Sequence, residues 1–329
     1  MENILITVFV NILISVIIYF IIVTVLIIID KKRKDRNSNQ NNLSFDELVF
    51  DYSELPELST YISRDGGSLK YRVYPSESNK ILILIHGSGW HSTYLLPLAK
   101  YISSENLAKV YTPDLRGHGI NPAKRGDINY INQLEDDLAD FISLVKKENP
   151  SSKIIIGGHS SGGGLILRFA GSKYKKMADA YLLLSPFLKY NAPTIKLNAG
   201  DWAVPHTPRI IGLSMLNNMG ISWFNYLPVI DFNMPEEFRD GSETLSYSHR
   251  LNTGFAPRNY KKDLRSIEQK TLVLAGTSDE SNIAEEFIPE ISKYNKDISV
   301  VLVDKVTHMG IVVGKEVQPI IKKWLSNLD

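Results

Sequence analysis

The chain has no cysteine among its 329 residues. That excludes a disulfide framework, a thiolate nucleophile and any metal site built on cysteine, and it suits a reducing compartment. Net charge is almost absent too: 37 Lys and Arg stand against 36 Asp and Glu, a formal +1. With no basic stripe interleaved with aromatics, nucleic acid is not expected as a partner, and the balance is silent about substrate. Over residues 4–29 charge is missing altogether, and only Thr7, Asn11, Ser15, Tyr19 and Thr24 interrupt the apolar run before Asp30. Any chemistry has to come from serine, histidine and carboxylates, and no metal or cofactor is implied.

The uncharged run is long enough to cross the roughly 30 Å hydrocarbon core as one tilted helix. A cleaved secretory signal would need a basic start, a shorter apolar core and a small-residue cleavage site; here the start is Met1-Glu2-Asn3 and the run ends in Asp30-Lys31-Lys32-Arg33-Lys34. An uncleaved single-pass anchor over residues 1–30 is therefore expected. Lys31, Lys32, Arg33, Lys34 and Arg36 follow it directly, which by the positive-inside rule places the rest of the chain on the cytoplasmic side. Residues 31–44 read as a polar linker carrying that basic cluster and the low-complexity run NSNQNN, with a folded domain over 45–329. The sequence does not reveal its oligomeric state.

With 43% hydrophobic residues the remainder can bury the core of one α/β domain with an insertion. Asp65-Gly66-Gly67 predicts a hairpin turn between two short antiparallel strands. Continuous apolar runs at 81–85, 110–111, 154–156, 181–184, 272–274 and 300–303 predict strands covered on both faces. Helical patterns at 95–103, 133–147, 164–173, 283–294 and 312–328 alternate with them, so the expected fold is a doubly wound, mostly parallel sheet. Only 187–266 breaks the rhythm. This stretch is rich in aromatic and apolar residues and too long for a structureless loop, and it reads as a small helical lid.

In such a sheet ligands sit at the carboxyl ends of the strands. The third parallel run ends in KIIIGGHSSGGG (153–164), a G-x-S-x-G turn that would lift the Ser160 hydroxyl above the sheet edge on a strained backbone. Alone the pattern is weak, occurring by chance in about one chain of this length in ten. A serine hydroxyl attacks only when an imidazole takes its proton and a carboxylate orients that imidazole, and on this architecture the chain order is Ser, Asp or Glu, His. Asp279 follows the penultimate strand and His308 the last, so Ser160, Asp279 and His308 meet order and position together; Asp279 also reads as a helix cap, and Glu280 and Asp304 are lesser candidates for the carboxylate. An oxyanion needs two backbone donors, expected from the amides of Ser88, in the turn after the first parallel strand, and Ser161. His86, His91 and His118 read as braces of their loops. His159 is expected to point away from the site, and for His206 and His249 in the lid the sequence alone does not indicate which residues they meet. A phosphate-binding loop is excluded, because Gly162-Gly163-Gly164 is followed by Leu165 rather than Lys-Ser/Thr.

HGSGWHS (86–92), DLRGHG (114–119), GHSSGG (158–163) and the late Asp279 and His308 together resemble the α/β-hydrolase fold. The first three resemble its monoacylglycerol lipase and lysophospholipase branch, the serine aminopeptidase S33-like group, over residues 60–329. The resemblance implies a lidded serine esterase acting on monoacyl lipids, so a lipid-like ester is the expected substrate, while the membrane is the partner expected from the N-terminal helix. The lid carries no motif matching that branch, and an N-terminal span is not a general feature of it. Acyl transfer or peptide hydrolysis on the same residues stay open, as does a membrane-tethered binding protein that has lost its chemistry. A dehalogenase or epoxide hydrolase would place a carboxylate at the elbow, against Ser160.

Overall fold

A computed structural model describes residues 1–29, 43–120, 122–196 and 202–328. The basic cluster Lys31, Lys32, Arg33, Lys34 and Arg36 and the polar run 37–42 lie outside the described residues. Helix α1 (Glu2–Ile28) takes in the uncharged run, with 27 residues and a mean hydropathy of 2.9 over its most apolar window. At 1.5 Å per residue it is about 40 Å long, enough to cross a bilayer. Two of its hydroxyls are satisfied within the helix, Thr7 donating to the Asn3 carbonyl and Ser15 to that of Asn11.

The domain opens with the antiparallel hairpin β1 (Ser59–Ile62) and β2 (Ser68–Tyr74), turned through Gly66 at φ 79°. The parallel body follows as β3 (Lys80–Ile85), α2 (Leu96–Ser104), β4 (Lys109–Pro113), α3 (Gln133–Glu148), β5 (Lys153–His159), α4 (Ser161–Ala170) and β6 (Ala180–Leu184). An insertion then supplies β7 (Ala203–Pro205), α5 (Thr207–Asn218), β8 (Pro228–Phe232), β9 (Ser246–Ser248), α6 (His249–Phe255) and α7 (Tyr260–Arg265). The body resumes with β10 (Lys270–Gly276), α8 (Phe287–Ser292), β11 (Ser299–Val303), α9 (Gly310–Val313) and α10 (Gln318–Ser326). The main sheet has the order β1-β2-β4-β3-β5-β6-β10-β11, parallel from β4 to β11 with β2 antiparallel to both neighbours. Because β4 and β5 lie on opposite sides of β3, the chain changes direction there and leaves a crevice at the carboxyl ends of β3 and β5.

Ile81 to Ile85 are almost wholly buried between the helical layers, each such side chain contributing about 1.5–3 kcal/mol. Behind the sheet, Glu135 of α3 accepts from Arg168 of α4 (Nε, 2.6 Å) and from Arg258 (Nη1, 2.9 Å), a buried network tying the insertion's end to the body.

The insertion is not purely helical as expected. Its strands pair as an antiparallel sheet, β7-β8-β9, with α5, α6 and α7 around it. These strands have three to five residues, carry prolines at 205 and 228, and pair across long intervals, so no alternating pattern marks them. Helix α5 packs along the last turns of α1: Tyr19 Oη donates to the Met215 carbonyl (2.9 Å) and Arg209 Nε to that of Ile27 (3.0 Å). Gly212 permits the approach, since a Cβ there would lie 2.9 Å from Ile27 Cγ1. Two other expected helices differ. The 312–328 helix is broken at Gly314, whose backbone is extended, and restarts ahead of Pro319; the 283–294 helix begins as a 3₁₀ turn, Ala284–Glu286.

Candidate active site

At the end of β5, Ser160 has φ 53° and ψ −120°, a conformation costing about 1–3 kcal/mol for a residue with a Cβ. Hydrogen bonds hold it there: its N–H donates to the Leu184 carbonyl (2.9 Å), and its carbonyl accepts from Phe187 (2.9 Å) and Gly164 (3.1 Å). The flanking glycines are required by close approach. A Cβ at Gly158 would stand 2.6 Å from the Gly162 carbonyl carbon, and one at Gly162 would strike the carbonyl oxygens of Ile85 and His86. Helix α4 starts at Ser161, earlier than its apolar pattern, because the turn leads straight into it.

Asp279 and His308 come together across the ends of β10 and β11. The imidazole Nδ1–H donates to the carboxylate at 2.9 Å (Oδ2) and 3.0 Å (Oδ1), leaving Nε2 as the proton acceptor. Both side chains are buried. Oδ1 also accepts from the N–H groups of Ser281 (2.8 Å) and Asn282 (2.9 Å), and Oδ2 from Asn282 Nδ2 (3.0 Å), so Asp279 is a turn cap as well as an imidazole partner. Burial would raise the Asp279 pKa, but the facing imidazole and the donated hydrogen bonds overcome it and hold the carboxyl well below its ordinary range. For His308 burial, the largest single effect, acts to lower the pKa, and the Asp279 charge and hydrogen bond together with the Glu280 charge outweigh it, leaving the net shift upward. Glu280 does not reach the imidazole. It accepts instead from the His308 backbone N–H (2.8 Å) and from Ser44 (N–H, 3.0 Å), while Asp304 accepts from Thr277 (3.3 Å).

The turn after β3 is held by two relays. Gly87 N–H donates to Tyr94 Oη (2.5 Å), whose hydroxyl donates to His159 Nδ1 (3.0 Å), and His159 Nε2–H donates to the His308 carbonyl (3.0 Å). Gly89 N–H donates to Tyr247 Oη (2.9 Å), whose hydroxyl donates to His118 Nε2 (2.6 Å), and His118 Nδ1–H donates to the Arg116 carbonyl (3.1 Å). The Ser88 amide is thus fixed between two pinned neighbours, and neither it nor the Ser161 amide has a hydrogen-bond acceptor among the described residues. The Ser88 and Ser161 hydroxyls bond each other at 2.6 Å. Burial keeps the relay rings neutral, pushing His159 down to about 3 and His118 well below its usual value. His86, down to about 4 for the same reason, donates through Nδ1 to the Gly87 carbonyl (2.8 Å) and accepts from Leu115 N–H (3.1 Å). His91 meets Ser242 (2.6 Å), and the lid histidines have partners too: His206 meets Asp231 (2.8 Å) and His249 Ser214 (3.4 Å).

The expectation for His159 is corrected: its ring does not point away but lines the site, with its centroid 4.8 Å from that of His308. The strained elbow turns Ser160 out of the sheet and leaves the preceding side chain to pack beneath it. Ser160, Ser88, His159 and His308 border one cavity of about 10 Å³, closed by Leu43, Phe45, Trp90, Tyr94, Trp202 and Met234 among others. That is room for one water. No hydrogen bond joins the Ser160 hydroxyl to the imidazole in this closed state, and such bonds commonly tighten only with substrate bound. Among the described residues no group of three or more His, Asp or Glu is placed to hold a metal ion. Sequence reasoning missed Tyr94 and Tyr247, which carry no local motif, and Leu43 and Phe45, which lie in or next to the segment read as linker.

The family model described as "Serine aminopeptidase, S33" matches residues 76–308. Among curated proteins the chain is 29% identical to monoglyceride lipase of Rattus norvegicus over 153 residues, 45% of this chain and 49% of that one. It is 26% identical to monoacylglycerol lipase of Mycolicibacterium smegmatis over 123 residues, 37% and 43% of the two chains. The chain therefore spans about half the length of the curated relatives it matches. Among solved structures, a soluble variant of monoglyceride lipase from Saccharomyces cerevisiae, in complex with a substrate analog, superposes with a TM-score of 0.65 at 19% identity, covering 85% of this chain and 98% of that one. A monoacylglycerol lipase from Paleococcus ferrophilus gives 0.56 at 19% identity, covering 79% and 99%. These likenesses establish the α/β-hydrolase fold.

Proposed function

This chain belongs to the serine aminopeptidase S33 family, and we propose that it is a membrane-anchored serine hydrolase cleaving carboxylic esters of monoacyl lipids, monoacylglycerol or lysophospholipid. Ser160 Oγ attacks the acyl carbon while His308 Nε2 takes its proton. The amides of Ser88 and Ser161 receive the oxyanion, and Asp279 holds the imidazole in the accepting tautomer and balances its charge. The imidazolium then protonates the departing alcohol, leaving an acyl-enzyme. Water, deprotonated by His308, attacks that ester, and the collapse of the second tetrahedral adduct returns the proton to Ser160 and frees the carboxylic acid.

The observation that carries this reading is the buried Asp279–His308 pair, with Nε2 left free, opening on the same cavity as an elbow serine at φ 53°. The named relatives favour an ester of a monoacyl lipid. The lid supports a bilayer source: Ile211, Met219, Phe224 and Tyr226 are exposed and Trp223 is 81% exposed, on and just after the helix that packs against α1. With α1 as the anchor and the basic cluster after it on the cytoplasmic face, the domain is cytoplasmic.

Full-length protein in phosphatidylcholine vesicles is assayed on monoacylglycerol, lysophosphatidylcholine and a two-carbon ester, alongside Ser160→Ala. The reading expects turnover of a monoacyl lipid, abolished in the variant; preference for the two-carbon ester would refute the lipid assignment. Protease added outside sealed cytoplasm-in vesicles should spare the domain, and digestion there would reverse the topology.

A further inference from the structure

The last residues before the domain proper close the site. Leu43, Ser44 and the 3₁₀ turn Phe45–Leu48 form a strap whose Leu43 and Phe45 side chains are buried in the wall of the Ser160 cavity. The Phe45 ring lies 5.2 Å from that of Trp202 and 5.8 Å from that of Phe238. Two polar latches fasten the strap to the loop that carries His308. Ser44 N–H and Oγ–H donate to Glu280 Oε1, whose other oxygen accepts from the His308 N–H (2.8 Å), and Thr307 Oγ1 donates to Glu47 (2.8 Å).

The strap reaches open space at one residue: Glu47, with Phe50 just beyond it, lines an outer open cleft of about 700 Å³ together with Val306 and Thr307 among others. On its inner side the cavity of about 10 Å³ holds no ester, whereas sites for organic ligands of ordinary size run from about 300 Å³ upward. Something must leave before a substrate enters. The relays pin the turn after β3, the elbow is held by backbone bonds, and Trp202 is wedged against Gly89, where a Cβ would stand 2.7 Å from its ring. The strap combines two apolar side chains in the cavity, Leu43 and Phe45, with a residue, Glu47, that lines the open cleft.

We propose that the strap is a displaceable wall of the substrate site: the space filled by Leu43 and Phe45 is the binding place of the substrate's apolar chain, which enters by pushing the strap toward the outer cleft. The proposal rests on the serine-hydrolase reading and adds a basis for chain selection. A long acyl chain buries enough apolar surface to offset the lost Phe45 packing and the Ser44 latch, and a short one does not. The strap also immediately follows the segment leading from α1, so the wall of the site and the anchor are covalent neighbours.

Two measurements on the full-length protein test this. Phe45→Ala leaves room without displacement, so kcat/KM for p-nitrophenyl acetate should rise and the laurate-to-acetate ratio fall by about tenfold or more; an unchanged ratio overturns the proposal. Since the chain has no cysteine, Phe45→Cys carries its sole thiol. A water-soluble maleimide should label it slowly in the free protein, about tenfold faster once a dodecyl fluorophosphonate occupies Ser160, and no faster with a methyl one. Equal protection in all three states overturns the proposal even where Phe45→Ala fails to fold. If neither wild type nor variant hydrolyses ester or takes up fluorophosphonate, it is the hydrolase reading that fails, and the strap's role falls with it.

Discussion

Replacing Asp279 by Asn keeps the shape of the side chain but converts one acceptor oxygen into a donor. In one orientation the new NH2 faces the N–H groups of Ser281 and Asn282, at 2.8 and 2.9 Å from Oδ1. In the other it faces His308 Nδ1 and Asn282 Nδ2, at 2.9 and 3.0 Å from Oδ2. The second spares the two rigid backbone donors, and it favours the imidazole tautomer protonated on Nε2, which cannot take the Ser160 proton. A loss of about 10⁴ in kcat is expected, or about 5 kcal/mol of barrier. The pH profile gives an independent readout. Neutral His308 is the active form, and Asp279 holds its pKa above the ordinary value against the opposing effect of burial, so the acid limb of kcat/KM for the wild type should lie above about 6.5. Without that carboxylate burial is opposed only by the Glu280 charge, and the limb moves down. Steady-state hydrolysis of a soluble p-nitrophenyl ester from pH 4 to 9 measures both. A variant within about tenfold of wild type, with its acid limb unmoved, would refute the assignment and turn attention to Glu280.

Three further outcomes follow from contacts described above. Tyr94→Phe strands the Gly87 N–H and His159 Nδ1, and should cost about 1–3 kcal/mol in denaturant unfolding while lowering kcat more than it raises KM. Glu135→Gln removes the charge facing buried Arg168 and the more exposed Arg258, and should cost about 3–5 kcal/mol through the uncompensated Arg168, with specific activity of the folded fraction unchanged. Gly162→Ala drives a methyl into the carbonyls of Ile85 and His86; a stability loss of about 1–3 kcal/mol and loss of serine reactivity in the folded fraction are expected, both readable by thermal unfolding and active-site titration.

The body of the fold was legible because each parallel strand is buried on both faces and so writes a continuous apolar run, as at 81–85 and 154–156. The residues that meet at the site were legible because the parallel strands β3 to β6, β10 and β11 deliver their carboxyl ends to one edge, which brings Asp279 to His308 from 29 positions away. What was not legible depends on contacts between distant segments. The β7-β8-β9 sheet pairs Val204 with Asp231 and Asp231 with Ser246, and no short window shows that. The role of Tyr247 arises from a hydroxyl reaching a turn 158 residues away. Phe45 reads as an ordinary apolar residue after a polar stretch, and only its place opposite Ser160 gives it meaning. The break at Gly314 was within reach of sequence reasoning, since Gly314 and Pro319 interrupt the apolar pattern that runs through them.

Every step proposed for this protein requires Ser160 to be an activated nucleophile. Full-length protein in vesicles is incubated with a fluorophosphonate, digested, and the adduct located by mass spectrometry. A single adduct is expected on the peptide carrying Ser160, absent from Ser160→Ala and strongly slowed in a His308→Ala variant. Labelling at equal rates in wild type and Ser160→Ala, or none in either, would contradict it.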